Sequence, residues 1–307
     1  MADYPQLTNS EVIGKLLAGL NHPDPKMICR IIAELERMRN PLAINPLSKL
    51  AIDPTKAAQV RRCAVEALGK LGHNRAVDVL LQALDDLDAE VRQVVPPALA
   101  AVGDLRAVEP LMRVAHFDND VNVRRQAIRY LGTFGDPYVI DTLTETLSDP
   151  DEMIRVAAVN ALADLRDPST LATLIEMFHR DESGRVRATI IAGVQLFPTG
   201  DYIDLCLIAL QDADKRVRSN AVLAFGKTDD ARVIEPLVNT LLNDDDTRTR
   251  GHAARVLGKK GDERAVEPLI ITLRDSDPWT QECARFALAD LDTPEAREAL
   301  KYWKKSQ

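Results

Sequence analysis

Five side chains in this 307-residue sequence could bind a ligand through its carboxylates, rings and N–H groups. They are Arg62, Arg125, Arg129, Tyr130 and Asp164. A guanidinium holds a carboxylate through two parallel hydrogen bonds, and Arg125 and Arg129 are four residues apart, the spacing of neighbours on one helix face. Tyr130 could pack on a flat ring, and the Asp164 carboxylate could accept hydrogen bonds from N–H donors. A solvated helix face explains the same pattern without any ligand.

The histidines and cysteines predict neither a metal site nor a catalytic nucleophile. No HxxxH, CxxC or nucleophile-elbow pattern occurs in the sequence. The four cysteines lie far apart, which is typical of reduced thiols rather than of a disulfide framework: Cys29, Cys63, Cys206 and Cys283. We therefore predict no metal ligands, and the sequence identifies no catalytic residue.

The charge balance disfavours several kinds of partner. The chain has 39 Lys and Arg against 47 Asp and Glu, so a broad electrostatic grip on nucleic acid or anionic lipid is not expected. The first residues lack the basic-then-apolar pattern of a signal peptide, and no apolar run approaches the roughly 18 residues of a membrane span. We expect a cytoplasmic protein that binds no nucleic acid and does not insert into membranes.

An arginine that recurs every 31 or 32 residues shows that the sequence is repetitive. The aligned residues are Arg61, Arg92, Arg124, Arg155, Arg187, Arg218 and Arg250, with Ile28 and Gln281 in the same place at the two ends. Nine such units cover nearly all of the chain. The period predicts one repeat domain over residues 1–307, in units of 31–33 residues, with a capping helix near 293–305.

Each unit has the pattern of two helices. An Asp-x-Asp pair precedes the second helix, and its second aspartate, such as Asp151 or Asp246, stands where an N-cap residue accepts an unpaired backbone N–H. The repeated arginines and aspartates predict a ladder of hydrogen bonds between adjacent units. Glycines near the ends of second helices predict left-handed caps: Gly69, Gly132, Gly226 and Gly258.

A helix pair of this size cannot bury both apolar faces alone, so neighbouring pairs must stack. The predicted fold class is therefore all-α, an α-solenoid superhelix of about nine helix pairs. The composition agrees, because 46% hydrophobic residues with only 4% aromatic residues suits close packing of Ala and Leu. Function is expected where the consensus fails, as at Pro96-Pro97 and within residues 193–200, or on the exposed stripe of the second helices. That stripe also includes Asn160, Arg255 and Lys259.

The repeat resembles the HEAT-like repeats of the phycobilisome-lyase family. The motifs that carry the likeness are Asp-x-Asp-x-x-Val-Arg-x-x-Ala and the segment LGKKGDERAVEPL at residues 257–269. Some members of this family attach or remove linear tetrapyrroles on phycobiliprotein cysteines, and others are adaptors or chaperones. One branch hydroxylates deoxyhypusine with a di-iron centre held by His-Glu pairs. None of the five histidines here precedes Glu, which excludes that enzyme.

The resemblance implies a phycobilin lyase-like protein that binds a linear tetrapyrrole, phycocyanobilin or phycoerythrobilin, as substrate and has no permanently bound cofactor. Its expected partners are a phycobiliprotein subunit and a second HEAT-repeat lyase subunit. We expect the bilin propionates on Arg125 and Arg129, with Arg62 on the same stripe, Tyr130 on a ring and Asp164 on the pyrrole N–H groups. The alternative is a non-enzymatic HEAT-repeat adaptor or chaperone scaffold that docks other proteins.

Overall fold

A computed structural model describes residues 9–198 and 202–306, and every regular element within these ranges is helical. The chain divides into two compact units, residues 1–161 and 162–307. No helix in the described part combines the length and the apolar character needed to cross a membrane.

The first unit contains the helices α1 to α9 and most of α10. Their bounds are α1 Asn9–Gly19, α2 Pro25–Arg37, α3 Ile44–Ala51, α4 Ala58–Leu71, α5 Val77–Ala83, α6 Ala89–Val102, α7 Val108–Phe117, α8 Val121–Leu131, α9 Val139–Thr146 and α10 Glu152–Leu165. Single 3-10 turns occur at Pro41–Ala43, Asn74–Ala76, Leu105–Ala107 and Gly132–Phe134.

The second unit contains the remaining helices. Their bounds are α11 Leu171–Arg180, α12 Gly184–Val194, α13 Ile203–Ala209, α14 Lys215–Phe225, α15 Ile234–Asn243, α16 Thr247–Lys260, α17 Val266–Thr272, α18 Pro278–Leu291 and α19 Pro294–Ser306. Its 3-10 turns are Pro168–Thr170, Ala231–Val233 and Glu263–Ala265.

Within each unit the helices pack as stacked pairs. The first helix of a repeat packs on the second, as α7 does on α8 and α15 on α16. Each second helix also packs on the second helix of the next repeat, as α4 does on α6 and α16 on α18. Small and aliphatic residues fill the core, for example Ala64, Leu68 and Leu257, which are fully buried. The predicted α-solenoid class of HEAT-like helix pairs is confirmed.

The predicted arginine–aspartate ladder joins successive repeats. Arg92 donates through Nε and Nη2 to the two carboxylate oxygens of Asp118 at 2.7 and 2.9 Å, and through Nη1 to the backbone carbonyl of Asp86 at 2.8 Å. Among the described residues the same bidentate geometry is found in Arg61–Asp86, Arg187–Asp212, Arg218–Asp244 and Arg250–Asp275. The hydrogen bond from Arg250 lowers the pKa of Asp275, as expected for a stabilised carboxylate.

The two aspartates of the Asp-x-Asp pair have different roles: the first binds the arginine, and the second caps the helix. Asp86 accepts the arginine and also the backbone N–H of Asp88 at 2.8 Å, while Asp88 accepts the N–H of Glu90 at 2.8 Å at the start of α6. The predicted N-caps are confirmed throughout: Asp24, Asp88, Asp120, Asp151, Ser183, Asp214, Asp246 and Asp277. Such caps stabilise a helix by about 1 kcal/mol each.

The prediction of left-handed caps was wrong for the glycines at the equivalent position of four repeats. Gly69 and Gly258 lie inside right-handed helices, and Gly132 and Gly226 have φ of −59° and −62°. At Gly69, Gly132 and Gly258 the next second helix lies too close for a side chain, whereas a Cβ on Gly226 would meet the next helix only at an ordinary contact distance of 3.7 Å from Val256. A Cβ on Gly258 would stand 2.6 Å from the Cα of Ala287, and one on Gly69 equally close to the Cα of Ala98. Left-handed caps occur a few residues later, at Gly72, Gly103, Gly135 and Gly261.

The prediction of four reduced thiols was also wrong for one pair. Cys29 on α2 and Cys63 on α4 form a disulfide, with their Cα atoms 5.8 Å apart. Distance along the sequence misled the prediction, because residues about one repeat apart lie side by side on neighbouring second helices. Cys206 and Cys283 are free and buried, and burial raises the pKa of Cys206 to about 12.

The two breaks in the consensus have different outcomes. Helix α6 continues through Pro96 and Pro97 to Val102, between its neighbours α4 and α8. Packing on both sides holds the helix in spite of the lost backbone hydrogen bonds. In the sixth repeat, α12 ends at Val194, and the last two residues of the divergent segment, 199 and 200, lie outside the described residues.

Candidate functional site

Three of the five predicted residues come together on α8. Arg125 donates through Nη2 to the side-chain oxygen of Asn122 at 2.9 Å. Arg129 is exposed, and its guanidinium carbon lies 5.7 Å from the centre of the Tyr130 ring. Within the described residues Arg129 makes no ion pair. One turn of α8 therefore offers an available cation beside a partly exposed aromatic ring.

Arg62 on α4 is already engaged with carboxylates. Its guanidinium lies 3.9 Å from Glu66 on the same helix and 3.8 Å from Glu90 on α6. Its buried Nε has no hydrogen-bond partner among the described atoms. The two glutamates offset the charge of Arg62, which leaves it less available for a ligand than Arg129.

Asp164 is exposed near the end of α10 and belongs to the second unit, whereas the other four predicted residues belong to the first. The structure thus groups Arg125, Arg129 and Tyr130, and places Arg62 in a separate ion-pair cluster on α4 and α6.

A second candidate site, which sequence analysis did not predict as a whole, is a groove between α16 and α18. It has a volume of about 440 Å³, within the range of small-molecule pockets. One wall carries Arg255 and Lys259 on α16. The other wall belongs to α18, and the residues that line it are Trp279, Glu282, Cys283, Phe286, Ala287 and Asp290. We call this cavity the α16–α18 groove.

The aromatic residues of the α16–α18 groove are held in place yet remain exposed. Trp279 is 42% exposed and Phe286 is 54% exposed. The indole lies directly against Gly251 of α16, because a Cβ there would fall 2.0 Å from a ring carbon of Trp279. The ring of His252 meets the indole edge-on with centroids 5.6 Å apart, and Nδ1 of His252 lies 2.9 Å from Oγ of Ser219 on α14. Packing therefore fixes the orientation of the Trp279 ring.

The electrostatics of the groove favour an anion. Neither Arg255 nor Lys259 has an ion-pair partner among the described residues, and both are exposed. By contrast, Glu282 is neutralised by Arg285, whose Nε donates to it at 2.8 Å and whose guanidinium also lies 4.1 Å above the Phe286 ring. The other carboxylate of the lining, Asp290, has no ion-pair partner among the residues that the structure describes.

Burial shifts the pKa of the two titratable groups that border the groove, His252 and Cys283. It lowers the pKa of His252, and the nearby Arg255 and Arg248 lower it further. Burial also raises the pKa of the Cys283 thiol, which is only 5% exposed. Both groups are therefore neutral at pH 7, and the fixed charges of Arg255 and Lys259 dominate the groove.

Among the described residues no group of three or more His, Cys, Asp or Glu side chains could hold a metal ion. The exposed helix faces of the described part carry cations, carboxylates and aromatic rings, which are groups able to form hydrogen bonds, ion pairs and stacking contacts.

Comparison with known proteins agrees with this architecture. The pattern described as HEAT repeats matches residues 13–100, 58–121, 108–195, 171–248 and 234–306. A phycobilisome maturation protein of Synechococcus elongatus is 33% identical over 195 residues, which are 57% of this chain and 92% of that protein. The chain belongs to the phycobilisome-lyase type of HEAT-repeat family.

Two further relatives show the breadth of this family. The beta subunit of phycocyanobilin lyase from Nostoc is 29% identical over 204 residues, 60% of this chain and 98% of the subunit. Human deoxyhypusine hydroxylase is 31% identical over 121 residues, and the chain spans only 39% of the length of that enzyme. It is a distant HEAT-type relative.

A solved structure supports the fold alone. The X-ray structure of YibA from Escherichia coli superposes with a TM-score of 0.59 at 20% identity, covering 84% of this chain and 96% of that one.

Proposed function

We propose that this protein is a phycobilin lyase-like protein, which binds a linear tetrapyrrole and assists its attachment to a phycobiliprotein cysteine. The observation that carries the proposal is the relationship to the phycobilisome maturation protein over nearly its whole length, together with the match to a phycocyanobilin lyase subunit. The proposed substrate is phycocyanobilin or phycoerythrobilin, and no resident cofactor is required.

The arrangement on α8 supports a bilin-binding role. A bilin carries two propionates, and Arg129, which makes no ion pair within the described part of the chain, lies one turn from Arg125. Arginine holds carboxylates in a bidentate fork, and Tyr130 lies beside Arg129 where a pyrrole ring could pack on it. Arg62 would contribute less because Glu66 and Glu90 already offset its charge. Asp164 is proposed to accept hydrogen bonds from pyrrole N–H groups.

The proposed reaction is an addition with no leaving group. The acceptor thiolate adds to the ethylidene or vinyl carbon of the bilin, a C–S bond replaces the C=C π bond, and the neighbouring carbon takes up a proton. The role of this chain would be to hold the flexible pigment extended and to orient it towards the thiolate. Such positioning can supply several kcal/mol of the barrier lowering without an acid–base residue.

The proposed partners are a phycobiliprotein subunit, which supplies the cysteine, and a second HEAT-repeat subunit. One relative is itself named as a lyase subunit, and this is what supports a second chain. We propose that the protein acts in the cytoplasm, where bilins and newly made phycobiliproteins meet.

The deciding experiment is co-expression with a bilin-producing pathway and candidate phycobiliprotein subunits, with and without a second HEAT-repeat subunit. We expect a covalent, zinc-fluorescent phycobiliprotein band that disappears when this chain is omitted. If no subunit acquires bilin and the purified protein does not change the absorbance of added bilin, the adaptor function replaces the lyase.

Variants of α8 test the proposed site. Replacing both Arg125 and Arg129 by Ala should weaken bilin binding at least tenfold, since each removes a charge-assisted contact. The matched control is Arg113→Ala, which removes an exposed charge from the first helix α7 of the same unit. Equal binding by the double variant and the control, with unchanged helicity, would reject the α8 site.

A further inference from the structure

We propose that the α16–α18 groove is a binding site for a flat, conjugated anion. The ring system would lie against Trp279 and Phe286, and the anionic group would bind Arg255 and Lys259. A linear tetrapyrrole falls within this chemical class, but the inference comes from the side chains of the groove and does not rest on the proposed function.

The other repeats serve as internal controls for the two aromatic residues. Trp279 stands two residues before the aligned position, where other repeats carry Gln59, Glu90, Asn122 or an arginine such as Arg248. Phe286 stands five residues after it, where the other repeats have no aromatic residue. Neither residue is needed for second helices to pack on each other, because α4–α6, α6–α8 and α12–α14 also pack without an aromatic residue at these positions.

Gly251 is the third departure in the same place. Gly251 belongs to the eighth repeat, on the helix that faces Trp279. The aligned residues of the other repeats carry side chains, for example Arg62, Arg125 and Ser219. The missing side chain is what allows the indole to lie against α16. Three departures from the repeat therefore coincide at one groove, and they leave two partly exposed aromatic rings there that a ligand could cover.

The charges select the ligand class. Arg255 and Lys259 are one turn apart on α16 and lack partners among the described residues, so a carboxylate, sulfonate or phosphate could contact both. On the opposite wall the Arg285–Glu282 pair is neutral overall and stacks on Phe286, which leaves that ring available on its other side. An aromatic wall facing a cationic wall fits a ligand that is flat on one side and anionic on the other.

The test uses the full-length protein and the fluorescent anion 1-anilinonaphthalene-8-sulfonate, with the neutral analogue N-phenyl-1-naphthylamine as the charge control. Trp303→Phe serves as the background, so that energy transfer to the probe reports Trp279 alone. We expect saturable binding of the sulfonate with transfer from Trp279, and binding of the neutral analogue about tenfold weaker. No saturable binding, or equal binding of both probes, would overturn the proposal.

Variants locate the probe. Phe286→Ala and the double variant Arg255→Gln with Lys259→Gln should each weaken sulfonate binding about tenfold or more. Matched controls are Tyr302→Ala, an exposed aromatic residue on α19, and Lys70→Gln, the residue of α4 that aligns with Lys259. Because this probe also binds loosened folds, far-ultraviolet circular dichroism and the urea midpoint must stay unchanged. Binding that survives in all groove variants would place the probe elsewhere and reject the site.

The two proposals fail separately. Loss of sulfonate binding in groove variants that still support bilin attachment would leave the groove as a site of its own. Bilin attachment that depends on Arg125 and Arg129 while no probe enters the groove would reject only the groove.

Discussion

The helix pairs α4–α6 and α16–α18 occupy equivalent places in the repeat, but the exposed surfaces at their junctions differ in chemistry. In both, a glycine of the first helix packs against an alanine of the second, Gly69 against Ala98 and Gly258 against Ala287. A Cβ on either glycine would stand 2.6 Å from the Cα of the alanine. In α4–α6, Arg62 reaches across to Glu90 and covers the junction with an ion pair. In α16–α18 the aligned residues are Gly251 and Trp279, and the junction opens into the α16–α18 groove.

The difference shows which positions a HEAT repeat can vary. Two substitutions replace an ion pair by a glycine and an indole, while the arginine–aspartate ladder and the glycine–alanine contact are the same in both pairs. The buried side of the repeat therefore sets the fold, and a few exposed positions of the second helices set what the surface can bind.

The largest effect is expected for the ladder, which both regions share. Arg250→Ala leaves Asp275, whose side chain is 11% exposed, without its cation, and should lower the free energy of unfolding by about 3 kcal/mol. Urea unfolding followed by circular dichroism measures the loss. The control is Arg255→Ala on the same helix, where we expect a change within about 0.5 kcal/mol because that side chain is exposed and has no ion-pair partner in the described part of the chain. Similar losses in both variants would contradict a structural role confined to the ladder.

The next effect concerns the close helix approach. Gly258→Ala and Gly69→Ala should each destabilise the protein by about 2 kcal/mol, because the new methyl meets backbone atoms of the next helix. Gly14→Ala in α1 is the control, since a Cβ there meets nothing within 4 Å, and better helix propensity should make it neutral or stabilising by up to about 1 kcal/mol. A stabilising Gly258→Ala would show that the two helices can separate at little cost.

A smaller effect is expected when one surface is converted into the other. The double variant Gly251→Arg with Trp279→Glu reproduces the Arg62–Glu90 pair in the α16–α18 junction, and it removes the indole that a side chain at 251 would strike. Stability should change by less than about 1 kcal/mol, since exposed ion pairs contribute little. Binding of 1-anilinonaphthalene-8-sulfonate should fall about tenfold, which is about 1.4 kcal/mol. Unchanged affinity would separate the probe from this junction.

The smallest effect is a pH dependence that distinguishes the groove from the ladder. The pKa of His252 is lowered in the folded state from 6.5, so the unfolded chain takes up the proton first and stability falls as pH drops below about 6.5. The pKa of Asp275 is lowered from 3.8, so the ladder loses stability only as pH falls below about 4. His252→Asn should abolish the first loss and keep the second in urea titrations at pH 7, 5.5 and 3.5. A variant with an unchanged profile between pH 7 and 5.5 would assign that loss to another group.

Much of the fold could be predicted because the same helix-pair pattern recurs nine times in the sequence. The N-caps and the ladder follow from residue types at fixed spacing, as at Asp88 and Arg92. The structural role of Gly258 was predicted wrongly. A glycine in a sequence can meet the need for a positive φ or the need to admit a neighbouring helix, and the sequence does not distinguish the two. The Cys29–Cys63 disulfide was missed because separation in sequence was taken as separation in space.

The candidate site was less predictable. Arg255 and Lys259 were assigned to the exposed stripe from the helical period alone. Trp279 and Phe286 escaped notice because they are seven residues apart on one helix, and a search for dense aromatic clusters finds no such pair. The missing signal lies in the comparison of equivalent positions across repeats, since only the junction of the eighth and ninth repeats pairs a glycine, Gly251, with a tryptophan, Trp279. The α8 residues Arg125, Arg129 and Tyr130 remain a prediction.

The ladder also limits how the length of such a protein can change. Each paired arginine reaches an aspartate 25 or 26 residues ahead, in the following repeat, and none of the five pairs spans more than that. Inserting or deleting one whole period would return every arginine to an equivalent carboxylate. A change of half a period would leave a cation on one side of the junction and a carboxylate on the other with no partner. A change in length by whole repeats therefore preserves the pairing at these junctions, whereas a change by part of a repeat breaks it where the change falls.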